Sequence, residues 1–591
     1  MQDTPASQRL GAFPCVQNGQ AGWMFRVAAP AAAGVSVVGD FNQWDPGHDP
    51  MQQMGEGVWQ TFLPYLREYD TYKYALRTRE GDILYKSDPY AFHNDTPPDN
   101  CTKLYDGTGY RWSDDSWFAF RRKKRLGRSP LNCYEVHLGS WRRTGMGEVL
   151  SYRAIAGYLV PYVKTMGYTA VIFMPLMEHQ EDGSFGYLPD SWFAPTSRFG
   201  PPQDFMHLID ELHRAGVGVF MDWPCGSFPV NEHGLAGFDG SALYETEEEL
   251  NQEGVRAFDF SKPLVRRFLT DSALFWLEHY HLDGLRVCGA SVMQTADASS
   301  FLEELVQRTR RDAPERVITL GKVIITDSAS TSGNLCLNRG CEDHLLTSFY
   351  QNNEAGRFVS GIFSPLHSCI PPLGTEFTET ISHLIAGGGE PQSTRLAAAR
   401  LCHLLLLAYP GKKLTFMGTE FGQEKSWDYR YSLDWHLLHY DAYHRQQRFF
   451  REANLLYLSQ PAFWERDNDP EGYQTLIRYD ELQKASAMRR AGMEGSLLVV
   501  LNFSKRKTFR CSLQVEGPGS YRVLLNTDDA AYGGQNQGSS GLLTAAEAER
   551  GYQLPLEVPP VGGLVAAFEG PPEPSPILLP VDETDSLRFF K

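Results

Sequence analysis

The chain is 591 residues long, with 42% hydrophobic and 21% charged residues, which is ordinary for a globular protein of roughly two to four domains. Its formal net charge of −17 disfavours nucleic acids and anionic membranes as partners and leaves neutral ligands such as sugars open. No stretch approaches the roughly 20 uninterrupted apolar residues that a membrane span requires, so the sequence predicts a soluble protein.

The cysteines and the N-terminal residues indicate the compartment. Ten cysteines are scattered singly along the chain without a Cys-x-x-Cys pair, which fits reduced thiols better than a disulfide framework or a zinc site. The N-terminal residues lack the basic start and apolar core of a secretion signal. We therefore expect a cytoplasmic protein that holds no metal and no cofactor.

Residues 1–108 are predicted to form a β-sandwich, because short alternating apolar runs are separated by turn residues. Trp44 and Trp59 stand among polar residues, and aromatic rings bind the apolar faces of sugar rings. Either tryptophan could equally be a half-buried core residue, and the sequence leaves both interpretations open. The apolar runs are Trp23–Val27, Val35–Val38, Val58–Leu63 and Tyr72–Arg77.

Residues 109–131 are polar and basic and are interpreted as a linker. The run Arg121–Arg125 could contact nucleic acid, but the acidic balance of the whole chain favours a solvated linker face. We therefore expect this segment to join two domains without binding a ligand.

Residues 132–468 alternate short, continuously apolar runs with amphipathic helical patterns. This repetition predicts a parallel (β/α)8 TIM barrel, whose chemistry lies at the C-terminal ends of its strands. Residues 469–570 are predicted to be a small antiparallel β-domain, and the tail 571–591 to be extended or disordered. The strand-like runs of the barrel are Cys133–Leu138, Ala170–Met174, Val217–Met221, Gly284–Val287, Val317–Leu320 and Leu414–Met417, and the helical ones are Pro202–Ala215, Pro263–His279, Ser300–Arg311 and Thr394–Ala408.

Ordered motifs along nearly the whole chain are similar to those of one enzyme family. They include Val37–Asn42, Asp88–Ala91, Tyr134–Trp141, Phe193–Gly200, Phe416–Gln423 and Ser432–His436. Together they resemble the glycogen (1,4-α-glucan) branching enzymes of glycoside hydrolase family 13, with an N-terminal family 48 carbohydrate-binding module. The resemblance implies a carbohydrate-binding β-sandwich, a (β/α)8 barrel and a C-terminal β-domain, with α-glucan or glycogen as the ligand.

The branching reaction of this family cuts an α-1,4 linkage and passes the released chain to a 6-hydroxyl with retention. Retention requires a nucleophilic and an acid/base carboxyl group about 5 to 5.5 Å apart. The family pattern DGLRVD matches Asp283–Val287, but Cys288 replaces the nucleophilic aspartate. A thiol with an ordinary pKa of about 8.5 is mostly protonated, and soft sulfur suits an oxocarbenium-like centre poorly.

The other two carboxylates of the family are also replaced. Lys322 takes the place of the acid/base glutamate, and as a cation it cannot readily act as a base. A second register places Asp327 there instead. Leu384 replaces the third carboxylate, next to the retained His383. Leucine cannot accept a hydrogen bond, so a sugar hydroxyl desolvated against it is left unpaired at a cost of about 1 to 3 kcal/mol.

Several sugar-binding positions of the family are retained. They are Tyr187, Asp222, Arg286 and His383, and Asp222 is expected to neutralise Arg286. A further histidine of the family pattern is replaced by Ser227. The resemblance thus implies that part of the sugar-binding site is retained, whereas the three catalytic carboxylates are replaced.

The sequence favours a catalytically inactive branching-enzyme homologue. It would bind α-glucan through the N-terminal module and surface aromatics of the barrel such as Trp192, or assist an active enzyme of glycogen synthesis. The alternative is an active glucanotransferase with a displaced carboxylate set, for instance Asp327 with Glu178 or Asp182.

A third possibility is that the barrel end serves a new ligand or a metal through Cys225, Cys288 and Lys322. Two cysteines without an assured third ligand more often fill the space of lost side chains. The space-filling interpretation is therefore favoured.

Overall fold

The computed structural model describes residues 9–124, 128–246, 254–288, 295–312, 316–320, 336–337, 369–370, 372–373, 391–467, 469–479, 482–549 and 551–570. Among the helices in these ranges, none is both long and apolar enough to cross a membrane.

The N-terminal domain consists of two facing antiparallel sheets. Phe25, Val37 and Tyr74 are fully buried between them, since alternate side chains of each strand point inward. The predicted β-sandwich is confirmed. Its strands are β1 (Gly11–Gln17), β2 (Gln20–Ala28), β3 (Gly34–Gly39), β4 (Gln52–Gly55), β5 (Val58–Leu63), β6 (Thr71–Arg77), β7 (Ile83–Lys86) and β8 (Thr102–Lys103). One sheet has the order β1-β2-β5-β4, and the other has β3-β6-β7 with β8 paired to β6.

Helix α1 (Asp115–Lys123) lies in the segment interpreted as a linker. Its residues Trp117, Phe118 and Arg121 are buried. The Nε atom of Arg121 lies 3.2 Å from the Oδ1 atom of Asp283, just before a barrel strand. The expectation of a fully solvated linker face is therefore wrong for Arg121, because this side chain forms a buried ion pair with the barrel.

The central domain alternates parallel strands with helices. Its strands are β9 (Asn132–Val136), β10 (Ala170–Phe173), β11 (Gly218–Pro224), β14 (Gly284–Cys288), β15 (Val317–Leu320), β16 (Cys336–Leu337), β17 (Cys369–Ile370), β18 (Pro372–Leu373) and β19 (Lys413–Phe416). A separate antiparallel pair is formed by β12 (Ser227–Pro229) and β13 (Val255–Ala257). The helices are α2 (Leu138–Trp141), α3 (Tyr152–Thr165), α4 (Pro202–Arg214), α5 (Pro263–Glu278), α6 (Ala296–Asp312), α7 (Gln392–Ala408) and α8 (Asp441–Ser459).

The parallel strands follow the order β17-β16-β15-β14-β11-β10-β9-β19-β18. The two edge strands β17 and β18 are separated in the chain by one residue. Every residue of β9, β10, β11, β14 and β19 is buried, as expected for strands covered on both faces. The predicted barrel is confirmed.

Helices α4 and α5 begin where the sequence predicts. Each has a proline at its first position, Pro202 and Pro263, where the missing N–H costs no hydrogen bond. Helix α4 then buries Phe205, Leu208 and Leu212 at helical spacing against the barrel. The N-terminal prolines explain where α4 and α5 begin, and the apolar periodicity explains which face of α4 is buried.

The C-terminal domain is an antiparallel β-structure, as predicted. Its strands are β20 (Tyr473–Ile477), β21 (Ala485–Ala491), β22 (Ser496–Asn502), β23 (Phe509–Val515), β24 (Ser520–Asn526), β25 (Leu542–Thr544), β26 (Ala546–Ala548), β27 (Gly551–Val558) and β28 (Gly562–Gly570). They form sheets of order β20-β21-β22-β28-β24-β25 and β23-β27-β26. A separate apolar core that includes Leu498, Leu513 and Leu554 lies between the sheets.

The N-terminal sandwich packs against loops that follow barrel strands β10 and β11. The Ser87 backbone N–H donates to the His233 carbonyl at 2.9 Å, and Lys86 Nζ donates to the Ala236 carbonyl at 2.8 Å. Gln180 Nε2 donates to the Asp99 carbonyl at 3.2 Å. These loops leave the C-terminal ends of the strands, so the sandwich lies beside the functional end of the barrel.

Candidate functional site

The C-terminal ends of the parallel strands meet at one end of the barrel, here called the barrel mouth. Asp222 on β11 and Arg286 on β14 are paired in register, as are Pro224 and Cys288 two residues closer to the mouth. The loop after β10 contributes Tyr187, whose hydroxyl reaches Asp222. The structure therefore brings together the family-derived site residues that lie on these elements.

Arg286 is held between two carboxylates. Its Nη2 atom donates to Asp222 Oδ2 at 2.6 Å and its Nε atom donates to Asp222 Oδ1, while Nη2 also pairs with Glu135 on β9. All three residues are at most 2% exposed. Buried charges persist only when they are paired and hydrogen bonded. Asp222 thus neutralises Arg286 as expected, and Glu135 is a second partner that the sequence analysis missed.

The position of Glu135 carried a signal that could have found it. It is a charged residue inside an otherwise apolar strand, between Tyr134 and Val136. Acidic residues are almost never fully buried unless they are paired. A lone glutamate in a buried strand therefore predicts a buried cation opposite, and Arg286 is that cation.

Asp222 accepts hydrogen bonds on both of its oxygens. Besides the contacts with Arg286, its Oδ2 atom receives the Tyr187 hydroxyl at 2.5 Å. A carboxylate that is fully buried and bonded in this way orients its neighbours and is not free to attack a sugar carbon. Both oxygens of Asp222 are therefore engaged within the protein.

Two histidines near the mouth are neutral. Burial lowers the pKa of His137 to about 3 and the pKa of His179 to about 4. The Nδ1 atom of His137 is 2.8 Å from Ser140 Oγ, and that of His179 is 2.9 Å from the Met177 carbonyl. Neutral imidazoles add hydrogen-bonding capacity without adding charge.

Cys288 ends strand β14 and is 3% exposed. Its thiol donates to the Arg286 carbonyl with a sulfur–oxygen distance of 3.5 Å. Cys225 is fully buried, and burial raises the pKa of its thiol, so it is a protonated and unreactive group. Over the part of the chain that the structure describes, no group of three or more His, Cys, Asp or Glu residues could hold a metal ion.

Lys322, Asp327, His383 and Leu384 lie outside the described residues. Their assignment to the acid/base, third-carboxylate and sugar-binding positions stays a prediction from the sequence.

The three tryptophans considered for sugar binding differ in exposure. Trp59 is 9% exposed and donates its Nε1–H to the Ala29 carbonyl at 3.0 Å, so it is a core residue of the sandwich. Trp192 is 1% exposed and packs against Phe258 and Phe268, so the expectation that it is a surface aromatic is wrong. Only Trp44 of these three is partly exposed, on the loop between β3 and β4, with its Nε1–H donated to Asp40 at 2.8 Å.

Comparison with known families identifies the two flanking domains. Residues 9–91 match carbohydrate-binding module 48, the isoamylase N-terminal domain. Residues 480–569 match the C-terminal all-beta domain of alpha amylase.

Solved structures share the fold. The pullulanase of Anoxybacillus sp. LM18-11, in its complex with maltotetraose, has a TM-score of 0.75 and 16% identity over 94% of this chain and 87% of that one. The putative alpha amylase of Salmonella typhimurium has a TM-score of 0.71 and 18% identity over 95% of this chain and 99% of that one.

Similarity at the sequence level is higher and spans the chain. The 1,4-alpha-glucan branching enzyme GlgB of Halothermothrix orenii is 33% identical over 93% of this chain and 94% of its own length. The GlgB of Rhodospirillum rubrum is 36% identical over 95% and 82%, and that of Aquifex aeolicus is 35% identical over 95% and 96%. On this near-full-length similarity, the chain belongs to the family of 1,4-alpha-glucan branching enzymes.

Proposed function

We propose that the protein binds α-glucan and does not catalyse branching. The observation that carries this proposal is Cys288, a buried residue at the end of strand β14, at the position where the family resemblance implies the nucleophilic carboxylate. Retaining chemistry on a glycosidic bond needs a carboxylate there to form and release the covalent intermediate. Asp222 does not substitute, since both of its oxygens are already engaged by Arg286 and Tyr187.

A displaced carboxylate set that includes Glu178 is disfavoured by the contacts of Glu178. Its Oε1 atom accepts from Thr196 Oγ1 at 2.9 Å and from Arg198 Nη1 at 2.8 Å. Its Oε2 atom accepts from the Ser197 backbone N–H and hydroxyl, both at 2.7 Å. Glu178 is 1% exposed, so it stabilises the loop at residues 196–198 and does not reach a substrate.

Asp182 is the other member of that alternative. Its side chain is 67% exposed, and it pairs with Arg198 at 2.7 Å. An exposed carboxylate at the rim lies in water, whereas catalytic carboxylates are tuned by a desolvated pocket. The alternative of an active glucanotransferase thus depends on Asp327, whose placement is outside the described residues.

The retained ligand is proposed from the relatives and from the mouth. The named relatives are 1,4-alpha-glucan branching enzymes, and a structural neighbour was solved with maltotetraose. Tyr187 and the neutral His137, both partly exposed, supply hydrogen-bonding groups suited to sugar hydroxyls, and the buried Asp222 holds the Tyr187 hydroxyl in place. We place the protein in the cytoplasm, where it would hold glucan or assist an active enzyme of glycogen synthesis.

The first prediction is that the purified protein forms no α-1,6 linkages in amylose. Incubation is followed by enzymatic debranching and chain-length analysis, with the Aquifex aeolicus enzyme as the positive control. The product is expected to match that of a no-protein blank. Branching that is lost in Cys288→Ala would show a thiol nucleophile, and branching that persists in Cys288→Ala would show a displaced carboxylate set; either result overturns the proposed inactivity.

The second prediction concerns glucan binding by the N-terminal sandwich. In affinity electrophoresis through glycogen, Trp44→Ala is expected to weaken retardation about fivefold, because the partly exposed ring is lost. Trp44→Phe keeps an aromatic face and is expected to retain most of the binding. Equal mobility of wild type with and without glycogen would remove glucan binding from the proposal.

A further inference from the structure

Helix α1 presents one face to the barrel and the opposite face to the outside. On the inner face, Trp117 Nε1 donates to Asp283 Oδ1 at 3.0 Å, so the helix is attached to the base of the barrel. On the outer face, Asp115, Ala119 and Lys123 are exposed and recur every fourth residue, which places them in one row along the helix. We call these three residues the outer row.

The outer row carries opposite charges at its two ends. Asp115 and Lys123 are eight residues apart, or about 12 Å along the helix axis, which is too far for an ion pair within the helix. Ala119 occupies the position at which each would find an intrahelical partner. Within the described part of the chain, neither Asp115 nor Lys123 forms an ion pair with another residue. Both charges therefore point outward without an internal counter-ion.

An exposed aromatic ring lies beside the small residue at the centre of the row. Phe120 is 45% exposed, and the Lys124 Nζ atom lies 4.3 Å from its ring centroid. Ser116, on the same side of the row as Phe120, is also exposed. Because Ala119 has no side chain beyond Cβ, a second helix can approach to an axis separation of about 8 Å. The outer face thus suits the packing of another helix against it.

We propose that two copies of this chain associate through antiparallel contact of their α1 helices. A symmetric dimer requires a surface that is complementary to itself. A two-fold axis beside Ala119 places Asp115 of each copy opposite the partner's Lys123, because both residues are four positions from Ala119. The two Phe120 rings then lie on the same side of the helix pair and pack against each other.

The charge pattern favours a second copy over an acidic partner. An acidic segment would pair with Lys123 but would place like charge opposite Asp115. Helix α1 has only nine residues, so its contact area is small and the dimer is expected to be weak and dependent on protein concentration. This association is independent of the proposed glucan binding.

Sedimentation velocity of the full chain at increasing protein concentration and low salt tests the dimer. The wild type is expected to dimerise reversibly, and less so at high salt. Asp115→Lys and Lys123→Glu are each expected to raise the dissociation constant about tenfold or more, because each sets like charges opposite each other twice per dimer. The combined variant is expected to restore dimerisation. An equal mixture of the two single variants is also expected to dimerise, because every altered charge then faces its opposite.

Lys425→Glu is the matched control. Its side chain is 79% exposed on the loop after β19, at the opposite end of the barrel strands, and the change in net charge is the same as in Lys123→Glu. It is expected to dimerise like the wild type. Circular dichroism confirms that each variant is folded, and retardation by glycogen is expected to be unchanged in all of them, so that glucan binding and dimerisation are judged separately.

Four outcomes would overturn the α1 dimer. They are a wild type that stays monomeric at every concentration, single variants that dimerise like the wild type, a combined variant and a mixture that both fail to recover dimerisation, and an equally large loss in Lys425→Glu. The second outcome would place the contact on another surface. The fourth would show that net charge alone controls association.

Discussion

Replacing Asp467 with asparagine is expected to lower the free energy of unfolding by about 3 to 5 kcal/mol. Asp467 lies buried between the barrel and the C-terminal domain, with its carboxylate 2.7 Å from Arg490 Nη2 and 3.0 Å from Lys412 Nζ. Removal of the negative charge leaves two buried cations without a counter-ion. Urea unfolding followed by tryptophan fluorescence measures the loss.

The cluster joins elements that are far apart in the chain. Arg490 on β21 also donates to the Phe463 carbonyl at 2.8 Å, and Lys412, just before β19, donates to the Ser129 carbonyl at 2.9 Å. Lys413 is buried beside them, and burial lowers its pKa far below the usual value, so it adds little positive charge. Asp467 therefore faces two cations, and its loss loosens the contact between the two domains.

The effect of Asp467→Asn depends on pH in a defined direction. Burial alone raises the pKa of Asp467, but Lys412 and Arg490 hold it below its ordinary value. A lowered carboxyl pKa gives stabilisation that is present above about pH 4 and is lost as the pH falls through the folded-state pKa. The difference in free energy of unfolding between wild type and Asp467→Asn is therefore expected to become smaller below about pH 4.

Asp469→Asn provides the matched control. Asp469 lies two residues further along the chain, and its side chain is 42% exposed where it pairs with Arg466 at 2.6 Å. Water screens such a pair, so the urea midpoint is expected to stay unchanged. Equal losses in both variants, or no loss in Asp467→Asn, would contradict the assignment.

The main elements of the barrel could be predicted because local pattern and fold agree. Strand β15 has the predicted bounds Val317–Leu320, and helix α4 differs from its prediction by one residue at its end. The two-residue strands β16, β17 and β18 are too short to give a periodic signal. Helix α1 was missed because its charged run outweighed the buried pair Trp117 and Phe118. Sequence patterns thus reveal long elements and hide short or strongly charged ones.

The site was predictable only where neighbouring strands carry it. Asp222 and Arg286 lie on adjacent strands, and their pairing was expected from opposite charge. Glu135 is 151 residues from Arg286 in the chain, and the curved sheet that carries β9 and β14 brings them together. Trp192 was wrongly expected at the surface, and Trp59 was left open between a sugar-binding and a core residue, because the sequence does not say which face of an element a ring occupies. Exposure is a property of the packed domain.

His213 is expected to stabilise the base of the barrel most strongly between about pH 4 and 6.5. It is fully buried in the last turn of α4, with Nδ1 2.8 Å from Asp114 Oδ2 and Nε2 3.2 Å from Asp283 Oδ2. Burial alone lowers the pKa of His213, but Asp283 and Asp114 raise it above its ordinary value. The imidazolium therefore donates to both carboxylates.

The carboxylates of this cluster determine the lower pH limit of the stabilisation. Arg121 pairs with Asp283 at 3.2 Å, and His281 Nδ1 lies 2.9 Å from Asp114 Oδ2. Burial alone raises the pKa of Asp114 and of Asp283. Hydrogen bonds from His213 and His281 hold the pKa of Asp114 below its ordinary value, and the charges of Arg121 and His213 do so for Asp283. Stabilisation from the carboxylates is lost as the pH falls below about 4.

Above about pH 6.5 the stabilisation by His213 decreases as the pH rises, whereas the stabilisation by the carboxylates decreases as the pH falls. Because the folded-state pKa of His213 is raised, its contribution is complete below about pH 6.5 and is lost as the pH rises through that raised value. Replacing His213 with glutamine removes the positive charge between two buried carboxylates and is expected to cost about 3 to 5 kcal/mol at pH 6. Urea unfolding at pH 5, 6, 7, 8 and 9 is expected to show that the difference in free energy of unfolding between wild type and His213→Gln becomes smaller at pH 8 and 9.

His207→Gln on the same helix is the control, since His207 is only partly buried and outside this cluster of carboxylates. It is expected to give a small, constant difference from wild type over the same pH range. A His213→Gln deficit that is equally constant would show that the side chain acts by shape and packing alone. A deficit that follows the protonation of His213 would instead establish that helix α1 is fastened to the barrel by charge, through Asp114 and Arg121.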